Sequence, residues 1–483
     1  MCRSKISFVI LFVVLALDAK PARTQSGGYS TGSGSGTSGP SAALSQSPFG
    51  GSVPTRPVSG VLKVSLRDAL DRGLKQNLGL LLSGEDVRAA RGERWKQLSA
   101  LLPNVANSTY VDESQIDLAE EGFVFTFPGF KIPTIIGFSY FDSRAYLSQS
   151  VFDWKAINNA RASNQDLKAA QSSYKDARDL VILAVGFSYL QTIAGEARTE
   201  TARAQVKTAQ ALYDQAADQL KAGTSPAIDA LRAQVELKVR QQQLIAAKND
   251  YQIQKLTLAR VIGLAPGQEF ELTDKSLYEP IAGLTVEEAE KRAYASRSDF
   301  QAALADVRAA EYSRKAAKAG YLPTLSFGAD YGVGGNWPDT TLVHGVFDVR
   351  GTLNIPLFQG GRVHGDVLEA DARLEQARER LESLRAQIDA DVRTALLNLE
   401  SSSEQVAVAQ SNIELAEQTL TQARDRFSAG VTDTVEVVQA QEAVASAHET
   451  YISSLYSFNY SKISLARALG LAEEGVKEYF QGN

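Results

Sequence analysis

Apolar residues recur at every third or fourth position from Leu374 to Phe427, and Ser402 is the only interruption. The steps alternate between three and four residues except around Ile388, where two steps of four mark a stutter. The same register, shifted by 207 residues, runs through the first half of the chain from Leu167 to Leu220. Because this periodicity is typical of coiled coils, we predict a helical seam of roughly 55 residues in each half.

Ala-Gly pairs at 222–223 and 429–430 follow the two seams. A helix from Phe152 to the first pair would contain roughly 70 residues and span about 105 Å. Beyond each pair, a second helix of roughly 35 residues runs to a Gly-Leu-Ala stop, at 263–265 and 470–472. We therefore predict that each half of the chain forms a long helical hairpin with glycine at its bend.

The segments that follow the two Leu-Pro pairs, at 102–103 and 322–323, have a period of two instead. In the second half the apolar positions are Leu325, Phe327, Ala329, Tyr331, Val333, Phe347, Val349, Leu353, Ile355 and Leu357. In the first half they are Phe141, Ala145, Leu147 and Val151. Polar residues alternate with both sets and include Asp and Arg, so we predict strands with one apolar face and one wet face.

Two hairpins per chain give four strands of about ten residues, a pattern typical of transmembrane β-barrels. The first hairpin region (103–152) is 14 residues longer than the second (323–358), and its extra part contains Phe123, Phe125, Phe127 and Phe130. Four strands cannot close around water, so several chains must contribute, and three chains would give twelve strands. An ordinary soluble antiparallel sheet with one wet face is the alternative.

Three landmarks occur twice in the same order, which indicates a tandem duplication. They are Lys221–Gln234 with Ser428–Gln441, Leu258–Gly267 with Leu465–Gly475, and Arg88–Pro103 with Arg308–Pro323. We therefore predict two repeats, 61–279 and 280–475, followed by a tail at 476–483. The unit is far longer than a solenoid repeat, so the copies are halves of one architecture.

Residues 1–24 have the basic start and the short apolar run of a cleaved secretory signal. Cys2 is the single cysteine and is lost with the signal, so the mature chain has no thiol, which suits an oxidising compartment. Because a lipid-anchoring cysteine would follow the apolar run rather than precede it, lipidation is not expected. Residues 25–60 are rich in Gly, Ser, Thr and Pro and are predicted to form a flexible leader. Removal of residues 1–24 changes the net charge from −6 to −9, so no surface for nucleic acid is expected. Apart from the signal, no stretch is predicted to form a membrane helix.

The order and spacing of these landmarks resemble TolC-like outer-membrane efflux proteins. The resemblance covers roughly residues 61–475 and rests on the duplicated strand starts, the Phe-Gln-Gly-Gly segment at 358–361, the Ala-Gly bends and the Leu-Ala-Arg…Gly-Leu stops. It implies a mainly α protein with a transmembrane β-barrel: a trimeric twelve-stranded barrel in outer-membrane lipid, continued by a long periplasmic α-helical barrel. It also implies a passive exit duct that meets a periplasmic adaptor at its helical tips and is driven by an inner-membrane pump.

The same resemblance implies that the bends contact the adaptor, through Ala222, Gly223, Thr224, Ala429, Gly430 and Val431. It places an acidic ring at the pore entrance, with Glu436 at its first position, Asp229 as the counterpart in the first half, and Asp433 on the bend. The family's second acid, lock arginine and lock tyrosine are replaced by Gln439, Thr432 and Phe427. Closure is therefore expected to depend on packing around Phe427. The alternative is that these acids are solvated residues in the first turns of helices.

No catalytic, cofactor or metal site is predicted. His344, His364 and His448 are isolated, and the glycines at 332–335 lack the lysine of a phosphate loop. We therefore expect a duct for a tripartite efflux pump rather than an enzyme. The outer-membrane channel of a type I protein secretion system and a secreted coiled-coil scaffold are the alternatives.

Overall fold

The structure is a computed structural model that describes residues 48–120, 122, 126–127, 129–131, 134–274, 284–336, 343–473 and 475. All of these residues fall in one structural unit, Leu44–Asn483. The predicted signal peptide (1–24), Phe123 and Phe125 of the longer hairpin, and the predicted tail (476–483) lie outside the described residues.

Among the described residues, the two halves contain the same series of helices. In the first half these are α1 (Leu66–Gln76), α2 (Leu78–Ser99), α3 (Trp154–Lys221) and α4 (Ala227–Val261). In the second half they are α5 (Val286–Ser296), α6 (Ser298–Lys318), α7 (Arg362–Ser428) and α8 (Thr434–Ala468). Helices α3 and α7 have 68 and 67 residues, and α4 and α8 have 35 each. The predicted hairpins of one long and one shorter helix are confirmed.

The residues before the long helices explain where these helices begin. Asp153 precedes α3, and its side chain accepts a hydrogen bond of 3.0 Å from the backbone N–H of Ala156. Such a cap satisfies a donor that the first turn leaves free. Before α7, Gly360 and Gly361 have φ values of 58° and 81°, which only glycine adopts without strain. The same long helix thus starts from two different local sequences.

The predicted seam of α7 is buried at most positions, and Ala377, Leu384, Leu399 and Ile413 are half-buried. Its buried residues are Leu374, Leu381, Ile388, Val392, Ala395, Val406, Ala409, Ala416, Leu420, Ala423 and Phe427. Ser402, predicted to interrupt the seam, is 4% exposed, and its hydroxyl donates to the carbonyl of Leu399 at 3.1 Å. A hydroxyl that bonds to its own helix can be buried at little cost, so Ser402 continues the seam.

The four longest strands of the described residues form one sheet, in which each strand pairs with the next one along the chain. Its members are β2 (Asn104–Asp117), β5 (Ile135–Phe152), β7 (Thr324–Asn336) and β8 (His344–Asn354), all antiparallel. Two shorter strands, β3 (Thr126–Phe127) and β4 (Phe130–Lys131), pair with each other between β2 and β5. The predicted hairpins are confirmed, although the four strands have 11 to 18 residues rather than ten. The pairing of β5 with β7 joins the two halves of the chain.

The register of β7 and β8 separates an apolar face from a polar face. Directly opposite pairs on the apolar face are Leu325–Leu353, Ala329–Val349 and Tyr331–Phe347. Pairs on the polar face are Ser326–Thr352 and Asp330–Asp348. The predicted alternation is therefore confirmed within β7 and β8, whereas Ile355 and Leu357 lie beyond the end of β8 at Asn354 and not in the strand. In β5 the pairing shifts between Ser150 and Phe152, and Phe152 lies opposite Leu325. This bulge places Phe152, rather than the predicted Val151, directly opposite Leu325.

One helix contradicts the prediction that only the signal could be apolar enough to cross a membrane. Within α3, an 18-residue window passes that test by length and composition, and it is the only one among the described residues. However, 72% of the window is buried inside the fold. Its apolar character reflects packing, since the core cluster around Val181, Val185 and Tyr189 lies in this helix.

Two short strands that were not predicted lie beside α3. β1 (Leu62–Val64) pairs in parallel with β6 (Phe270–Leu272), and the Tyr189 hydroxyl donates to the carbonyl of Val64 at 3.1 Å. Residues just before β1 are also tied down, since the backbone N–H of Val53 donates to Gln76 and that of Thr55 donates to Gly263. This part of the stretch predicted to be a flexible leader therefore belongs to the folded unit.

A cluster of buried charges joins α3 to the end of α8 and the start of α6. Arg467 contacts Asp176 at 2.5 Å, and Arg297 contacts Asp299 at 2.7 Å. Asp179 lies beside them at 8% exposed, and no described residue forms a hydrogen bond or salt bridge with it. Burial raises the pKa of Asp179 to about 6, with nearby Asp176 adding to the rise. The charged form of this carboxyl group therefore destabilises the folded state.

Asp179→Asn is expected to raise the midpoint of thermal unfolding at pH 7.5, because the amide removes the cost of a buried charge. The displacement of the pKa corresponds to about 3 kcal/mol. The gain should be complete above about pH 6 and disappear below about pH 4, where the carboxyl group is protonated in both the folded and the unfolded chain. Thermal unfolding followed by circular dichroism of the helices, at pH 7.5 and below about pH 4, measures this gain in stability. Asp214→Asn, at an exposed position of the same helix, is the control, and an equal gain there would contradict the argument.

Candidate functional site at the tips of the helical hairpins

The two bends share one backbone conformation. Gly223 follows the end of α3 with φ 74°, and Gly430 follows the end of α7 with φ 70°. In each bend the next residue, Thr224 or Val431, donates its backbone N–H to a carbonyl five residues earlier, at 3.0 and 2.9 Å. Glycine supplies the left-handed residue that this helix ending requires. The sequence thus builds two equivalent exposed tips, and Val431 at the second is 68% exposed.

At the first tip, Asp229 is held rather than free. It is 6% exposed, accepts a hydrogen bond of 2.9 Å from the Ser225 hydroxyl, and lies 3.6 Å from a nitrogen of Arg232. The same Arg232 nitrogen lies 3.9 Å from a carboxylate oxygen of Asp433 on the second tip. Arg232 therefore links the two hairpins of one chain.

At the second tip, Asp433 and Glu436 have different roles. Asp433 caps α8 by accepting a hydrogen bond of 3.1 Å from the backbone N–H of Val435. Glu436 accepts a hydrogen bond from the Thr432 hydroxyl, and its other oxygen lies 3.3 Å from a nitrogen of Arg426. The Glu436 side chain remains 36% exposed, so water screens the ion pair.

The remaining predicted residues divide between core and surface. Phe427 is 5% exposed and lies in a cluster with residues from α3, α4 and α8, among them Leu212, Ala233 and Val437. This packing joins the two hairpins near their tips. Gln439 is exposed on α8.

The structure brings Glu436, Thr432 and Asp433 together at one tip, and Arg232 connects Asp229 to them. Sequence reasoning missed both arginines. Arg426 could have been found, because it and Glu436 are equally far from Val431 and so meet across the bend. Arg232 had no such signal, since its contact with Asp433 joins residues of different hairpins.

A second polar cluster lies on the polar face of the sheet. Asp142 is fully buried, accepts hydrogen bonds from Tyr140 at 3.0 Å and Arg144 at 2.7 Å, and Arg144 reaches Asp330 at 3.2 Å. Gly332 lets β7 lie close to the backbone of β5 here, because a Cβ there would lie 2.1 Å from the backbone oxygen of Ser143. The cluster ties β5 to β7 and gives this face its charge.

The described part of the chain contains no convergent group of three or more His, Cys, Asp or Glu side chains that could hold a metal ion. The features that define this candidate site are therefore structural: two long helical hairpins with exposed tips, and a sheet that has one apolar and one polar face.

Comparison with known proteins agrees with this geometry. Residues 74–264 and 290–471 match the family model described as outer membrane efflux protein. The chain is 24% identical to the outer membrane protein TolC of Escherichia coli over 353 residues, which cover 68% of this chain and 69% of TolC. It is also 24% identical to the pyoverdine export outer membrane protein OpmQ of Pseudomonas aeruginosa over 404 residues, 81% of this chain and 83% of OpmQ.

Solved structures share the fold. The Campylobacter jejuni CmeC outer membrane channel aligns with a TM-score of 0.73 at 18% identity, over 86% of this chain and 88% of CmeC. VceC from Vibrio cholerae aligns with a TM-score of 0.71 at 18% identity, over 84% of this chain and 96% of VceC. With the family model matched in both halves of the sequence, the chain belongs to the outer membrane efflux protein family.

Proposed function

We propose that this protein is one subunit of a trimeric exit duct that carries molecules from a periplasmic adaptor across the outer membrane. The family gives it an outer-membrane location, a periplasmic helical domain and a role in efflux. The trimer, the closed barrel and the docking of an adaptor go beyond the family assignment. The observation that best supports the proposal is that both edge strands of the sheet lack a partner on one side.

Within the described residues, β2 and β8 are each paired on one side only. Unpaired backbone groups cannot be left in lipid, so the two edges must pair with other chains. Eight strands from two chains would leave an interior that side chains fill. Twelve strands from three chains enclose a lumen, and the polar face with Arg144 and Asp330 would line it.

The helices also carry surfaces that need a partner. On α4, Ile228, Leu231, Val235 and Val239 form an apolar stripe at helical spacing, and each is at least 40% exposed. On α7, Leu397, Val408 and Leu415 are at least 60% exposed. Inside one chain the two hairpins meet mainly through α3 and α8, and these exposed side chains of α4 and α7 stay outside that contact. A trimer would bury the stripe of α4 against α7 of the next subunit.

Light scattering of the detergent-solubilised protein is expected to give the mass of three chains. Val235→Glu should shift the population towards monomers, because it places three charges in subunit contacts. Gln234→Glu, at an exposed position beside the stripe, should leave the trimer intact. A stable folded monomer for the unmodified protein would contradict the proposed assembly.

The exposed tips are the surface that an adaptor would meet. Ala222, Gly223 and Thr224 at the first bend and Ala429, Gly430 and Val431 at the second have short side chains, so a partner can approach the backbone closely. Exposed Val431 supplies an apolar contact. The pump in the inner membrane would supply the energy, and the duct itself would perform no catalysis.

The range of molecules that the relatives export supports a passive duct. OpmQ serves pyoverdine export, CusC cation efflux and AprF, at 21% identity, alkaline protease secretion. Different cargo through one architecture is expected if partners select the cargo. Because AprF serves protein secretion, a role in a protein secretion system is the second candidate function. The outer-membrane location removes the alternative of a secreted coiled-coil scaffold.

A further inference from the structure

The hairpin of β2 and β5 extends beyond the rest of the four-stranded sheet. β7 ends at Asn336, opposite Tyr140, and beyond that point β5 pairs only with β2 among the described residues. Residues 113–117 and 135–139 therefore form a two-stranded arm. At about 3.4 Å per residue, an arm of this length extends about 17 Å. The arm accounts for part of the greater length of the first hairpin region.

The arm lies at the end of the sheet that is opposite to the helices. α2 ends at Ser99, shortly before β2 begins at Asn104, and β5 ends at Phe152, shortly before α3 begins at Trp154. Both helices thus join the sheet at the same end. Because the helical domain of this family lies in the periplasm, the arm lies on the extracellular side of the outer membrane.

The polar face of the sheet becomes apolar in the arm. Alternate residues of β5 continue the face of Arg144, and in the arm they are Phe138 and Ile136. Ile136 lies directly opposite Ile116 of β2, and Phe138 lies opposite Ser114, the one polar residue on this face of the arm. Ile116, Ile136 and Phe138 are 41, 42 and 44% exposed. The described residues leave these three side chains, the apolar patch of the arm, open to solvent.

The opposite face of the arm changes in the other direction. In the rest of β7 and β8 this face is apolar, but in the arm it is mostly polar. Its residues are Glu113, Gln115, Asp117, Gly137 and Ser139, with Ile135 at the end of the strand as the one large apolar residue. Apolar patches beside polar surface mark contacts with a partner. The side of the arm that continues the lumen is therefore the side that needs a partner.

The dimensions of the proposed trimer, on which this inference rests, allow the arms of three subunits to meet. Twelve strands that lie about 4.8 Å apart and are tilted by about 40° close into a barrel with a radius of about 12 Å. An arm of about 17 Å that inclines inward reaches the axis of such a barrel. The groups that it meets there are the same faces of the other two arms, so copies of this chain are the partner that fits the patch.

We propose that the three arms form an apolar closure of the duct at its extracellular mouth. Ile116, Ile136 and Phe138 of the three subunits pack together around the threefold axis, and the polar faces of the arms remain in water. An apolar constriction excludes water and ions until its side chains separate. This closure is distinct from the charged entrance at the helical tips, which lies at the other end of the molecule.

Cross-linking in intact outer membranes tests whether the apolar faces meet. Ile136→Cys is expected to give pairs of chains joined by a short bis-maleimide, because its thiols lie close together near the axis. Gln115→Cys, at an exposed position on the opposite face of the same arm, should give few or none. The one natural cysteine is Cys2, so the unmodified protein is the blank. Cross-linking to the same extent at both positions, or at neither, would overturn the proposal.

Thiol labelling tests whether the arms restrict access to the lumen. Ser326→Cys lies on the polar face of the sheet, and a membrane-impermeant sulfonated maleimide added to intact cells should label it slowly. Combining it with Ile116→Ser and Ile136→Ser should accelerate labelling several-fold, because hydroxyl groups hydrate the constriction. Gln115→Ser, on the opposite face, should leave the rate unchanged. An equal rate with the unmodified and the doubly substituted arm would mean that the arms close nothing.

The mass of each variant separates this proposal from that of the duct. Light scattering of the detergent-solubilised variants reports whether they form the trimer. A monomer of the unmodified protein would overturn the duct, and the closure with it. A trimer whose arms neither cross-link at Ile136→Cys nor slow the labelling of Ser326→Cys would overturn the closure alone.

Discussion

Arginine in place of Val349 is expected to prevent assembly in the outer membrane, at a cost of about 2–4 kcal/mol per chain. Val349 is 64% exposed on the apolar face of the sheet and lies opposite Ala329. As the sixth of eleven residues in β8, it lies near the middle of the strand, which in the proposed barrel is near the centre of the membrane. A charge at that depth cannot reach water easily, and a trimer would carry three.

The cost should fall towards the ends of the strands. Phe327 is the fourth residue of β7 and Leu353 the tenth of β8, so in the proposed barrel both lie closer to the periplasmic end. Phe327→Arg is expected to have an intermediate effect and Leu353→Arg a cost of about 0–1 kcal/mol. The amount of protein in urea-washed outer membranes measures the series.

Residues on the opposite face provide the control. Ser326 and Thr352 face each other across the same two strands but point to the polar side. Arginine at either position would face the lumen and should leave the amount of assembled protein unchanged. Equal losses on both faces would mean that the sheet does not have one face in lipid.

The sequence was most informative where one period continued over many residues. The seam of α7 and the alternation of β7 and β8 could be predicted because each position reports the same buried or exposed face. β2 could not be assigned residue by residue, because Asn107, Thr109 and Glu113 interrupt the face that carries Val105 and Val111. Its polar positions are satisfied by contacts across strands, such as the 2.7 Å bond between the hydroxyls of Thr109 and Ser143.

Contacts between segments that are far apart in the sequence could not be predicted either. The pairing of β1 with β6 joins two runs of three residues that are 208 apart, too short for any periodicity. At the tips, the duplication located the bends and the acids, but the arginines that hold those acids depend on how the helices lie together. The local sequence pattern therefore predicted where the bends and their acids lie, whereas tertiary contacts decide which of these acids are paired with an arginine.

Lysine in place of Glu436 is expected to reduce or reverse the cation selectivity of single channels in planar bilayers. In the proposed trimer, three Glu436 side chains surround a narrow entrance, and a ring of carboxylates favours cations. Arg426, 3.3 Å from each Glu436, already offsets part of this charge. Glu436→Lys would place two cations side by side in every subunit, so the change should exceed that of Glu436→Gln. Arg426→Gln should act in the opposite direction and increase cation selectivity.

The position of the charge distinguishes an entrance ring from a solvated surface acid. Asp433 caps α8 on the bend, so Asp433→Asn is expected to weaken adaptor binding and change conductance little. Asp229 is buried against Ser225 and Arg232, and its substitution should therefore have an intermediate effect. Glu442→Lys makes the same charge change at an exposed position six residues further along α8, and reversal potentials should stay the same there. If Glu436→Lys channels kept the selectivity of the unmodified protein, the acids would be surface residues, and the tips would serve the adaptor alone.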